Sequence, residues 1–79
     1  MTRHPSVAGV ARYLTEPNVN LPKPLYAIAV KTSLFAQEIL EAIPEDSAEL
    51  TDGLRNLLRA KDSFVRAALS QLEAYNKLS

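Results

Sequence analysis

The chain has 79 residues, with nine basic and nine acidic side chains, no cysteine, no tryptophan and two glycines. That length holds one domain, residues 1–79, and the neutral balance argues against a general nucleic-acid binder, which is basic throughout. Without cysteine there is no disulfide and no thiolate metal site, and a single histidine, His4, leaves no zinc-ligand set. Alanine supplies 11 of the apolar residues, which make up 47% of the chain. The core is therefore thin, and by elimination self-association is the expected staple of so short a domain.

Met1-Thr2-Arg3-His4-Pro5 leads into no long apolar run, so no secretory signal is expected. The most apolar stretch, Leu25 to Leu40, is interrupted by Lys31, Gln37 and Glu38 and is too short to span a bilayer. The expectation is a soluble cytoplasmic protein with no membrane contact. Four prolines, at 5, 17, 22 and 24, punctuate the first third, and the fifth is Pro44. Because proline is disfavoured inside helices, these positions divide the chain. A short helix is predicted over 5–14, with Pro5 in its first turn. An irregular connection follows, and then a long helix over 24–42. Pro44-Glu45-Asp46-Ser47 makes a turn, and a second long helix covers 47–78, with Glu45, Asp46 and Glu49 at the positive end of its dipole. No β-type alternation is present. The predicted fold is all-α: an antiparallel two-helix hairpin with a short N-terminal helix, assembled into a homo-oligomer.

Helical spacing of about 100° per residue distributes the apolar positions. Leu25, Ile28, Ala29, Phe35, Ala36, Ile39 and Ile43 form a stripe assigned to the hairpin partner, while Tyr26, Val30 and Leu34 form a second stripe on the other side. That second stripe is covered either by the N-terminal segment or by a subunit interface. On the last helix the main stripe runs from Leu50 through Leu54, Leu57, Leu58, Phe64 and Val65 to Leu72. Beside it Gly53, Ala60, Ala67 and Ala74 recur at steps of seven, a spacing that allows close helix approach, although alanine is also simply a good helix former. Tyr26, Val30, Leu34, Ala60, Ala67 and Ala74 are the candidate oligomer interface. The end of the last helix, around Leu69, Leu72, Tyr75 and Leu78, outruns the shorter helix and needs covering by residues 1–22 or by another subunit. Gly53 inside the helix costs roughly 1 kcal/mol relative to alanine, so either packing explains it or the helix weakens there.

Catalytic chemistry has little to draw on. There is no cysteine nucleophile and no glycine-rich phosphate loop, and no serine with a nearby histidine base is expected. The expectation is no enzyme, no catalytic residue, no metal and no cofactor. Charge is uneven, however. Residues 1–31 carry four basic groups and one acid, residues 38–52 six acids and no base, and residues 53–79 five basic groups and two acids. A hairpin then has an acidic turn end and a basic open end, which either matches subunits head to tail or offers an anion site. Arg55, Arg59 and Arg66 share a flank with Asp62 between them, forming either a salt-bridged surface or a phosphate-binding one. Lys61 falls in the middle of the apolar stripe, where it snorkels or pairs with an acid such as Glu38. Lys31, among Ala27, Ile28, Leu34 and Phe35, is placed to reach an anion between subunits. Tyr13 beside Arg12 is placed to stack on a base while the arginine meets phosphate. His4 reads as plain surface.

Val10-Ala11-Arg12-Tyr13-Leu14, Ile28-Ala29-Val30-Lys31, and Leu54 through Leu69 carry a resemblance. In that order the chain resembles the helical-hairpin domain of the phage proteins that sequester cyclic nucleotide signals of bacterial immunity, the anti-CBASS sponges and related anti-Thoeris proteins. The resemblance implies a homohexamer in the host bacterial cytoplasm. It would bind cyclic dinucleotides, and in some members cyclic trinucleotides at separate sites, between protomers without cleaving them. It assigns base stacking to Tyr13 and phosphate contact to Lys31. Two other classes stay open: a helical adaptor or antitoxin-like module that binds a protein partner through Tyr26, Val30 and Leu34, and a helix-turn-helix DNA binder. The acidic turn speaks against the second, because a DNA-reading helix is normally basic.

Overall fold

A computed structural model describes residues 3–78, with side chains described for residues 3–74. Helix α1 spans Pro5–Thr15, α2 Lys23–Ala42 and α3 Ala48–Leu78, and no strand occurs among the described residues. All three helix pairs pack against one another. The short helix is therefore a full member of the packing rather than an appendage to the two long ones.

Local chemistry sets each boundary. His4 caps α1: its Nδ1 accepts from the Ser6 N–H at 3.1 Å, and its carbonyl accepts from Val7 and Ala8. Pro5 opens the helix, where its missing N–H would have had no intrahelical partner anyway. Helices α1 and α2 end alike, each capped by the residue before a proline. Glu16 (φ −117°, ψ 81°) precedes Pro17 and Ile43 (φ −121°, ψ 83°) precedes Pro44, because proline pushes its predecessor out of the helical region. At the start of α3, the Ser47 hydroxyl accepts from the Leu50 N–H at 3.1 Å, and Glu49 lies in the first turn.

The core is built across all three helices. Val7 and Leu14 of α1, Ala36 of α2, and Leu50 and Leu54 of α3 are buried together, with Val10, Ala11, Ile39, Leu40, Leu57 and Leu58 packed around them. Leu14, Leu54 and Val7 are the largest fully buried side chains, so α1 contributes two of the three. The stripe Val7-Val10-Ala11-Leu14, at i, i+3, i+4 and i+7, is the helical signature that does this.

The structure corrects one sequence expectation and narrows another. Of the α2 stripe assigned to the helix partner, Leu25, Ala29 and Ala36 are buried, but Phe35 is 52% exposed and Ile43 41%. Ser33, a polar residue outside that stripe, is buried instead, because its hydroxyl donates to the Thr15 carbonyl at the end of α1. For the far end of α3, left open between cover by residues 1–22 and cover by another subunit, helix α1 does not supply the first. Ser6 faces Thr51 and Tyr13 meets Lys61, so α1 lies along the near half, and Leu69 stays 39% exposed. The Tyr75 and Leu78 side chains named with Leu69 lie outside the described residues. The molecule measures 50 × 20 × 18 Å, and its long axis matches the roughly 46 Å expected of a 31-residue helix. No described helix is long and apolar enough to cross a membrane.

Candidate functional site

Lys31 lies on the rim of a shallow groove of about 280 Å³ between α2 and α3, lined also by Ile28, Thr32, Phe35, Leu57 and Phe64. A second groove of about 290 Å³ continues toward the turn, sharing Phe35 and Leu57 and adding Ile39, Ile43, Leu50, Gly53 and Leu54. Together they form an apolar trough whose aromatic members stand open, Phe35 at 52% and Phe64 at 59% exposure. Lys31 is exposed and has no carboxylate within salt-bridge distance among the described ion pairs.

Tyr13 is 68% exposed near the end of α1. Its carbonyl, one of the last in the helix and so without an intrahelical partner, accepts from Lys61 Nζ at 3.0 Å. The lysine places a positive charge at the negative end of the α1 dipole. Of the two alternatives left open for Lys61, snorkelling or pairing with an acid such as Glu38, this contact fits the first. The mid-stripe lysine carries its charge over the apolar surface to cap a neighbouring helix.

Tyr13 is not among the residues lining the Lys31 groove. Ser33 marks the side of α2 that meets α1, and Lys31, two residues away, lies about 200° around the helix from it. Within one chain the two residues thus occupy different flanks. Arg12 pairs with Glu16 at 3.5 Å, with both side chains largely exposed, and Arg55 approaches Asp52 at 4.0 Å; exposed pairs of this kind contribute little to stability. Arg59 and Arg66 are exposed. Of the candidate interface residues, Tyr26, Val30 and Ala60 are half-buried, while Leu34, Ala67 and Ala74 are exposed.

A polar cluster that sequence reasoning missed joins the start of α1 to the turn before α3. Arg3 donates to the Asp46 carboxylate and to the Leu40 and Ile43 carbonyls, and the His4 backbone N–H donates to Asp46. The Arg3 guanidinium, and after it the His4 N–H, hold the Asp46 carboxyl below the usual carboxylate range. His4 is accordingly a structural cap rather than plain surface. Ser6, His4 and Asp46 share the residue types of a hydrolytic triad but not its arrangement. Asp46 binds the His4 backbone rather than its ring, while the ring's Nδ1 faces the Ser6 hydroxyl at 2.8 Å and accepts from its N–H. A triad needs the carboxylate on the second ring nitrogen, so these contacts brace the fold. No three His, Asp or Glu side chains among the described residues are grouped to hold a metal ion.

No protein-family model, curated protein or solved structure matches the chain.

Proposed function

We propose that this chain is a non-enzymatic sponge that sequesters cyclic oligonucleotides between the subunits of a homo-oligomer. Its unit is an antiparallel α2–α3 hairpin braced by α1. The observation that carries the reading is Tyr13: an aromatic residue 68% exposed, on a helix whose end is tied down through the same residue's carbonyl. A ring presented on a fixed backbone stacks on a base with little ordering cost. Lys31, exposed beside an apolar trough, supplies a cation for a phosphate, and Arg12, Arg55, Arg59 and Arg66 supply further positive charge on exposed flanks. Because Tyr13 and Lys31 sit on different flanks of one protomer, one ligand would draw them from two subunits.

The test is a thermal-shift panel of cyclic di- and trinucleotides on the purified chain, since a ligand that binds the folded state alone raises the melting temperature. A shift with at least one member, abolished by Tyr13→Ala and reduced by Lys31→Gln, is the expected result. No shift across the panel overturns the reading. A second reading, an adaptor for a protein partner, is favoured by Leu34, a large apolar side chain 55% exposed on an outward flank of α2. Leu34→Glu that leaves the mass in solution unchanged would assign that stripe to a heterologous partner.

A further inference from the structure

Ala27, Lys31, Leu34, Phe35, Glu38 and Ala42 are all exposed and fall within about 100° of arc on α2. Their order has a symmetry of its own. About the midpoint between Leu34 and Phe35, alanine answers alanine, lysine answers glutamate, and one large apolar side chain answers another. An interface between two identical surfaces related by a two-fold axis requires that if position i meets position j, then j meets i. This flank meets that requirement for two copies of α2 crossing in opposite directions.

We propose that this flank is a self-association surface, with α2 packed antiparallel on α2 of a second copy about a two-fold axis level with Leu34 and Phe35. In that register each Lys31 faces Glu38 of the partner subunit, so the flank's single base and single acid are both neutralised. The alanines at the two ends let the backbones approach closely, and the apolar pair fills the centre. Phe64, 59% exposed and lining the Phe35 groove, extends the apolar contact onto α3. The flank from Ala27 to Ala42 runs about 24 Å along α2 and widens onto α3 at Phe64. A foreign partner would need no such internal pairing, and Glu38 on the flank opposes an anionic lipid surface.

The surface is defined in the ligand-free protein, so failure of every cyclic nucleotide to bind leaves the proposal untouched. If such a ligand does reach Lys31, it must displace the partner's Glu38.

Sedimentation velocity on the full chain, at low salt and over a concentration series, tests the arrangement. The wild type is expected to sediment at an even multiple of its 8.7 kDa monomer mass. Lys31→Glu and Glu38→Lys should each weaken association at least tenfold by opposing like charges, and the double exchange should restore it. Both sites are exposed, and circular dichroism checks that each variant keeps its helix. A wild type that stays monomeric at every concentration overturns the proposal and leaves the flank to another partner. Single variants that associate like the wild type, or a double variant no better than the singles, overturn the register. The cysteine-free chain allows a second test. Ala27→Cys/Ala42→Cys should form a covalent dimer on mild oxidation, whereas Ala27→Cys alone should not. Absence of that dimer also overturns the register.

Discussion

Arg3 and Asp46, 43 residues apart, are bound to each other at the junction of all three helices. The same guanidinium also donates to Leu40 and Ile43, carbonyls at the end of α2 that have no partner within the helix. One side chain thus joins the entry to α1, the end of α2 and the turn before α3. Among six acids and no bases in residues 38–52, it supplies the compensating charge.

Because Arg3 and the His4 N–H depress the Asp46 pKa, their contribution to stability is present above the unfolded value of about 4 and is lost as pH falls through the folded value. Asp46→Asn should melt several degrees below the wild type at neutral pH. The gap should narrow in melts recorded at successively lower pH below about 4.

Lys61→Met should lower stability by about 1 kcal/mol, because it leaves the Tyr13 carbonyl to water and removes the charge at the end of α1. The apolar stem is retained, so the loss isolates the ammonium. Urea midpoints of the variant and the wild type measure it.

Leu14→Ala empties a fully buried site between the helices and should cost about 3 kcal/mol, a large share of what so short a domain has. Val19→Ser, at a position 77% exposed in the connection, should stay within about 0.5 kcal/mol. Equilibrium denaturation of the two gives the contrast.

A side chain at Gly53 would meet nothing within 4 Å, so no packing within the chain explains this glycine. Gly53→Ala should therefore raise stability by about 0.5–1 kcal/mol, through helix propensity and a less flexible unfolded chain. A higher melting temperature at a concentration where the chain is monomeric checks it.

The helix boundaries were legible to within one residue. The prolines at 5, 17, 22, 24 and 44 act on their own and adjacent backbone, whatever the rest of the chain does. The partners of Lys61, His4 and Ser33 were not legible. Each binds an atom of another segment: the Tyr13 carbonyl, the Asp46 carboxylate and the Thr15 carbonyl. No periodicity within one helix records which neighbour lies across it. The weight of α1 in the core was legible in principle, since Val7, Val10, Ala11 and Leu14 have helical spacing, but two longer stripes competed for the role.

By itself, then, the sequence determined an all-helical chain of three elements with fixed ends and more apolar surface than two helices can bury between them. Only the tertiary structure decided how that surface is shared. A helix with two apolar sides has one rotation about its axis, and packing α1 against both long helices selected it. That choice buried Leu25, Ala29 and Ala36 and left Phe35 and Phe64 open on α2 and α3. Local propensity carries no term for that rotation; it comes from the joint fit of side chains distant in the chain.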